Sequence, residues 1–310
     1  MSAPQVTIKL NDGKEIPALG LGTWQAPEAE VVEAVRYAVA EAGYRHIDGA
    51  WAYNNEVSVG KGLAASGVPR SEVYITSKVW GTWHNRVEAC LDQSLERLGT
   101  DYVDLYLIHW PIAMNPNGNH PVIPTLLDGS RDIAHDWKLT DTWEQMEDIL
   151  KKGKAKSIGV SNCSQKNLDI ILSKAEVVPA VNQLEIHIYN PQHSLLSYMA
   201  SKGIKAQAYS PLGSTGSPLL KDEVATEIAQ KHDVAVADVC LGYLIAKDII
   251  VLAKSVTPSR IASNYTGALT AAKKLTKNDI TRLDGLAAAG KQKRFVTPPW
   301  PVELGFENWP

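Results

Sequence analysis

Residues Val103 to Pro111 read VDLYLIHWP: a strand-like apolar run that ends on a histidine, a tryptophan and a proline. The body of this run calls for burial, and the proline, which has no N–H, cannot continue a ladder of strand hydrogen bonds. A buried strand that closes on a titratable ring delivers that ring to the strand's carboxyl end. Upstream, Val87, Leu91, Leu95 and Leu98 share one helix face and Gly99 can stop that helix. Helix followed by strand is therefore the local unit.

The unit recurs in both directions. Val32, Val35, Val39 and Ala42 fall at helix spacing, Gly43 can end the helix, and YRHIDGA supplies a short strand. Later, WEQMEDILKKG leads into KSIGVS. Eight strands are expected, around Leu19 to Gly22, His46 to Asp48, Tyr74 to Lys78, Leu105 to His109, Ser157 to Ser161, Ala180 to Gln183, Lys205 to Tyr209 and Ile249 to Leu252. Eight such units predict an α/β protein with a closed (β/α)8 TIM barrel, one domain over residues 1–310.

An open doubly wound sheet would need a phosphate loop after its first strand, and GLGTWQ lacks the third glycine. Gly20 and Gly22 read instead as places of close backbone packing at a strand end. Asn11-Asp12-Gly13 between two short strand-like runs predicts an N-terminal β-hairpin. Two stretches break the rhythm: the long loop Pro111 to Trp137 after the fourth strand, and the Pro/Trp-rich tail Lys291 to Pro310. Loops of that length in a compact domain are expected to be lids or binding walls.

Hydrophobic residues make up 45% and charged residues 21% of the 310, and the formal net charge is −3. No block of like charge suggests nucleic acid or a membrane surface, so small molecules are the expected partners and a monomer the expected state. No run reaches the length of a membrane span, and no apolar segment follows Met1 to suggest export. Cys90, Cys163 and Cys240 are odd in number and lack metal-ligand spacing, which suits reduced thiols in the cytoplasm.

In a (β/α)8 barrel the chemistry belongs to the carboxyl ends of the strands. Read off there, the chain offers Asp48 with Tyr53 five residues on, then Lys78, His109, Ser161-Asn162, Gln183, Tyr209 and Lys254. An Asp48–Lys78 pair at the barrel top would add little stability after desolvation, so it suggests a task. A tyrosine ordinarily loses its proton near pH 10, and a lysine cation beside it would lower that value. Tyr53 is thus a candidate general acid toward a carbonyl oxygen, with His109 to orient that oxygen and a cofactor to bring the hydride. A metal-dependent barrel could use His46, Asp48, His187 and His193, but Lys78 would repel the ion.

Seven segments, IDGAWAYNNEVSVGKGL, ITSKVW, YLIHWP, IGVSN, AVNQLEIH, AYSPLG and LAKSVTPSRIASN, resemble in order the successive motifs of the aldo-keto reductases. The resemblance implies that Asp48, Tyr53, Lys78 and His109 form the catalytic tetrad. It implies an extended NADPH, with Ser161, Asn162 and Gln183 at the carboxamide and Tyr209 stacked on the nicotinamide. Ser210, Leu212 and Ser214 match the pyrophosphate loop. Lys254, Ser255, Thr257 and Arg260 match the clamp for the 2'-phosphate, and Asn264 the adenine site. Two cations and two hydroxyls around one loop that leads into a helix suit a phosphate monoester on their own chemistry.

Ala253 and Ser263 depart from the family pattern, where proline and an acidic residue are common, and both would loosen the hold on the cofactor. Trp24, Trp80, Trp110 and Trp300 are expected as aromatic walls for a small aldehyde or ketone. The tail RFVTPPWPVELGF resembles that of fungal glycerol dehydrogenases and glyceraldehyde or aldehyde reductases. This implies short hydroxy-aldehydes, glyceraldehyde, sugar aldehydes or their polyols, glycerol among them. The alternative is an NADPH-binding redox sensor of the same fold without turnover.

Overall fold

The computed structural model describes residues 5–214 and 216–309. Strands β1 (Thr7–Lys9) and β2 (Glu15–Pro17) form the antiparallel hairpin, with Ile8 opposite Ile16 and Gly13 at φ +84° in the turn. The next eight are β3 (Leu19–Gly22), β4 (His46–Asp48), β5 (Tyr74–Val79), β6 (Val103–Ile108), β7 (Ala155–Ser161), β8 (Val181–Glu185), β9 (Lys205–Tyr209) and β10 (Ile250–Ala253). They are parallel and close into a barrel when β10 pairs with both β9 and β3.

Among the described residues ten α-helices accompany them: α1 (Glu28–Ala40), α2 (Glu56–Ala65), α3 (Val87–Leu98), α4 (Leu139–Lys151), α5 (Gln165–Leu172), α6 (His193–Ser201), α7 (Glu223–His232), α8 (Val236–Ala246), α9 (Pro258–Lys274) and α10 (Lys277–Asp284). Among the described residues no helix is long and apolar enough to cross a membrane. The three cysteines are buried and unpaired.

The pleat of β6 explains the VDLYLIHWP run. Leu105 and Leu107 pack with the hairpin's Ile8, Leu10 and Ile16 in one cluster, whereas Tyr106 and Ile108 join the cluster shared with the helices. Alternate residues face opposite sides of a sheet, so His109 has the parity of Leu105 and Leu107, the lumen side. Its N–H still donates to Val79 O at 3.1 Å before Trp110 and Pro111 leave the barrel. The hairpin plugs the opposite end: Asn11 Nδ2 donates to Pro179 O at 3.1 Å and Ser157 Oγ donates to Asp12 at 2.6 Å.

Several boundaries differ from the sequence expectation. Helix α1 buries Val31, Ala34, Val35, Ala38 and Val39, while Val32 is only half-buried and Ala42 lies beyond the helix. Val35 and Val39 thus lie on the core face as expected, joined there by Val31, Ala34 and Ala38 in place of Val32. Strand β8 continues to Glu185, so Gln183 sits within the strand rather than at its exit. Gly20 is close-packed as expected, since a Cβ there would lie 2.8 Å from both His46 Nδ1 and Leu252 Cδ2. Gly22 is not: its nearest neighbour would be Lys254 Cβ at 3.8 Å. Its place on the wall of the central cavity, not packing, is what sets it apart.

Gly159 on β7 is the tightest of these positions to test, because a Cβ would meet the Val181 carbonyl oxygen at 2.6 Å. Backbone cannot yield as a flexible side chain can. Gly159→Ala is expected to destabilise the protein by roughly 1 to 3 kcal/mol. Urea unfolding measures this, and a midpoint equal to that of the parent chain would contradict it.

Candidate active site

Strand register brings the polar exits together. Asp48 pairs with Thr76, so Lys78, two residues on, lies on the same face one step nearer the rim. The Lys78 ammonium reaches back to Asp48 Oδ2 at 2.8 Å, to Gly49 O at 2.7 Å and to the Tyr53 hydroxyl at 3.3 Å. Tyr53 comes from a short 3-10 turn, Trp51–Tyr53, closed by Asn54 in the left-handed region at φ +56°. The loop is tied down beneath: Thr23 Oγ1 donates to Asp48 O, and Asn55 Nδ2 donates to Thr23 O, both at 2.9 Å.

Across the lumen Gln183 Nε2 donates to Asp48 Oδ1 and to Gln207 Oε1, both at 2.8 Å. Gln183 thereby holds the second carboxylate oxygen of Asp48, leaving its own side-chain oxygen, Oε1, without a protein donor among the described residues. Asn162 follows β7 with φ +56°, a region asparagine tolerates better than most side chains. That turn lets Asn162 Nδ2 donate to His109 O at 2.9 Å and Asn162 Oδ1 accept from the Tyr209 hydroxyl at 2.8 Å. Ser161 Oγ donates to Gln183 O at 2.8 Å.

The His109 ring packs edge-on against Tyr53 at 5.5 Å and Trp80 at 5.0 Å between centroids, and its buried Nδ1 has no partner. Burial, with the Lys78 charge acting in the same direction, holds this imidazole well below its usual pKa, so it is neutral near pH 7. Burial also pushes Lys78 down, against the pull of Asp48.

Tyr53 departs from expectation. Its phenol is pushed well above 10, by burial first and then by the Asp48 and Tyr209 charges. The Lys78 cation is already matched by Asp48, so little of its field is left to lower the resting phenol. Tyr53 therefore keeps its proton at neutral pH.

Asp48, Tyr53, His109, Ser161, Asn162, Gln183 and Tyr209 line a cavity of about 760 Å³, with Lys78 fully buried behind them; the cavity also takes in Trp24, Trp80, Trp110, Ser210, Leu212, Ser214, Lys254 and Arg260. Trp300 does not face it directly; it backs the wall, 5.4 Å from Trp110 and 6.5 Å from Trp80. Ser255, Thr257 and Asn264 lie behind the cavity surface, where Thr257 Oγ1 accepts from Arg260 Nη2 at 2.7 Å. Lys254 and Arg260 make no ion pair among the described residues, so two cations stand free beside the start of α9. Ala253 is buried in β10, and Ser263 Oγ donates to the Arg260 carbonyl at 3.2 Å. Among the described residues the histidines of the metal alternative lie apart from one another's partners: His46 Nε2 bonds Thr76, His187 bonds Glu185, and His193 is exposed near Asp284.

Several contributors were missed in the sequence. Val122 and Ile123 from the long loop, Ser217 and Lys221 beyond the glycine turn, and Val296 and Pro298 from the tail all line the cavity. Glu185, the true exit of β8, is fully buried and anchors the tail: its carboxylate accepts from the N–H groups of Phe295 at 2.6 Å and Val296 at 2.9 Å, and bonds His187 Nε2 at 2.9 Å. The alternation of AVNQLEIH was the one signal that could have marked Glu185, being in phase with Gln183.

A closed parallel barrel whose carboxyl rim gathers a phenol, an ammonium, a carboxylate and an imidazole around one deep cavity has the architecture of a barrel oxidoreductase. The profile of the Aldo/keto reductase family matches residues 18–288. The chain belongs to the aldo/keto reductase family. It is 48% identical over 309 residues to D-galacturonate reductase of Hypocrea jecorina, covering 97% of this chain and 98% of that one. It is 44% identical to glycerol 2-dehydrogenase (NADP(+)) of Saccharomyces cerevisiae, covering 96% of each. Among solved structures, that of the aldose reductase from Schistosoma japonicum matches with a TM-score of 0.87 at 35% identity over 94% of each chain.

The buried histidines make an acid-stability prediction. Burial holds His46 and His84 down to about 3, and His109 is also depressed. The unfolded chain protonates these rings near pH 6.5 while the native chain does not, so stability is full above that pH and is lost as pH falls toward 3. At most three extra protons on the unfolded state correspond to a slope approaching about 4 kcal/mol per pH unit. Urea unfolding at pH 7.5 and 5.5 should show the lower stability at 5.5; an equal or higher value there would contradict the assignment.

Proposed function

We propose that the protein is an NADPH-dependent carbonyl reductase that acts on small aldehydes and ketones, hydroxy-aldehydes and sugar aldehydes among them, and reversibly oxidises alcohols such as glycerol. The observation that carries this reading is the Tyr53 hydroxyl, 3.3 Å from the Lys78 ammonium, on a cavity that His109 also lines. The relatives named for D-galacturonate reduction and for NADP(+)-linked glycerol oxidation support the same class of reaction.

In this reading Tyr53 gives its proton to the substrate oxygen. The phenol is protonated at rest, and as its proton leaves, the Lys78 cation takes up the growing phenolate charge at close range. Asp48 and the Gly49 carbonyl hold that cation in place. His109, kept neutral, orients the carbonyl oxygen by a ring N–H hydrogen bond and does not compete as an acid. NADPH, when bound, supplies the hydride. Trp24, Trp80 and Trp110 give the reacting end apolar walls, with Trp300 behind them.

The rim fits such a cofactor. Tyr209 offers a ring face, fixed by its bond to Asn162. Ser161, Asn162 and Gln183 would hold the carboxamide, with the Gln183 side-chain oxygen, Oε1, open to an amide N–H. Ser210, Leu212 and Ser214 would hold the pyrophosphate, and Asn264 the adenine. The unpaired Lys254 and Arg260, with Ser255 and Thr257, would hold the 2'-phosphate. A monomer in the cytoplasm is the proposed state, which three unpaired cysteines suit.

Tyr53→Phe removes the proton donor and leaves the ring. It is expected to retain NADPH binding, read by fluorescence, while aldehyde reduction falls by at least about a hundredfold. Turnover near that of the parent would mean that another group donates the proton. Arg260→Ala removes charge-assisted bonds of roughly 1.5 to 3 kcal/mol, so NADPH affinity should fall about tenfold or more with NADH affinity nearly unchanged. Equal losses in the two titrations would remove Arg260 from the 2'-phosphate site.

A further inference from the structure

Glu56 is a buried carboxylate outside the cavity, and the proton transfer itself does not use it. It opens α2 three residues after Tyr53 and is 1% exposed. A carboxylate in the first turn of a helix is favoured by the helix dipole and needs no burial for that. Glu56 is nevertheless turned inward, where its Oε1 accepts from Ser77 Oγ at 2.7 Å and its Oε2 has no hydrogen-bond partner among the described residues. Arg97 Nη1, at 3.7 Å, is the cation beside it. Taking a carboxylate out of water for one hydrogen bond is costly, so what that bond joins matters.

Ser77 pairs with Tyr106 and Lys78 with Leu107, so Ser77 faces the helices while the next residue, Lys78, faces the lumen. The segment from Gly49 to Glu56 carries Tyr53 and is fastened to β5 at both ends. Gly49 N–H donates to Thr76 O at 2.9 Å, and Glu56 takes the Ser77 hydroxyl. Lys78 reaches the same segment at Gly49 O and at the Tyr53 hydroxyl. Three consecutive residues of one strand thus define where the phenol stands. On its other side, Trp51 Nε1 of the same turn donates to Gln93 Oε1 of α3 at 2.9 Å. The Tyr53–Lys78 contact is the longest of the ammonium's three, at 3.3 Å, and a shift of about 1 Å would take it out of hydrogen-bond reach.

We propose that Glu56 is a positioning residue for the proton donor: by gripping Ser77 it closes one end of this clamp and keeps the Tyr53 hydroxyl within reach of Lys78. This rests on the carbonyl reductase reading, in which Tyr53 gives the proton and Lys78 takes up the phenolate charge. Because Glu56 does not line the cavity, its loss should slow the chemical step and leave cofactor binding alone.

The test is the single-turnover rate of glyceraldehyde reduction by enzyme saturated with NADPH, with NADPH affinity read separately by fluorescence. Glu56→Ala and Ser77→Ala each break the bond and should slow that step about tenfold or more, since small misplacements of a reacting group are costly. The two losses should not add in the double variant, because both remove the same link. Glu56→Gln, which keeps an oxygen for Ser77, should recover most of the loss, and NADPH affinity should hold in every variant. The solvent deuterium isotope effect should rise in both alanine variants as proton transfer becomes harder, whereas a merely loosened fold would lower the active fraction without moving it. Should Glu56→Ala fail to fold, Ser77→Ala, which deletes one hydroxyl, decides. A parental rate in a folded alanine variant, additive losses, an unchanged isotope effect, or Glu56→Gln as slow as Glu56→Ala each overturns the inference and leaves the carbonyl reductase reading intact. Failure of the parent to reduce any aldehyde would overturn both.

Discussion

The buried pair between Lys78 and Asp48 is the constraint on which the rim depends. Neither side chain is open to water, and an isolated charge at that depth would be prohibitive. The pair persists because every polar atom of the carboxylate and the ammonium has work: Gln183 on one carboxylate oxygen, Gly49 O and the Tyr53 hydroxyl on the ammonium. These partners come from β4, β5, β8 and the turn after β4. Their meeting is possible only in a closed barrel with this register. Strand pairing and site geometry are thus a single requirement.

Much of this was legible in the sequence because barrels put polar residues where apolar runs stop. Asp48, Lys78, His109 and Ser161-Asn162 all sit at or beside such stops, and the structure brings them together. What the sequence hid has physical reasons. Glu185 was overlooked because Gln183 looked like the end of a strand that in fact runs two residues further. Val122, Ile123, Ser217 and Pro298 come from irregular segments whose course depends on tertiary contacts, not on periodicity. The state of Tyr53 was misread because charge proximity alone was weighed. In the fold its neighbouring cation is already matched, and removal from water dominates.

The mouth is built on a different principle from the rim. Trp80, Trp300, Trp110 and Trp309 touch in that order, with centroids 5.4 to 6.5 Å apart, so the wall is an aromatic relay that joins the exits of β5 and β6 to the tail. Trp300 supports the two rings that face the cavity, and a change there would act through them. Such a wall discriminates by shape and apolar contact and leaves polar selection to whatever stands at its outer edge.

The way the tail is fastened has an evolutionary corollary. Glu185 grips two consecutive main-chain amides, at Phe295 and Val296, and so ignores the side chains those residues carry. Whatever sequence is grafted beyond that knot will be launched over the mouth from the same point. Substrate scope can then diversify by rewriting the last dozen or so residues, while the barrel and its chemistry remain untouched.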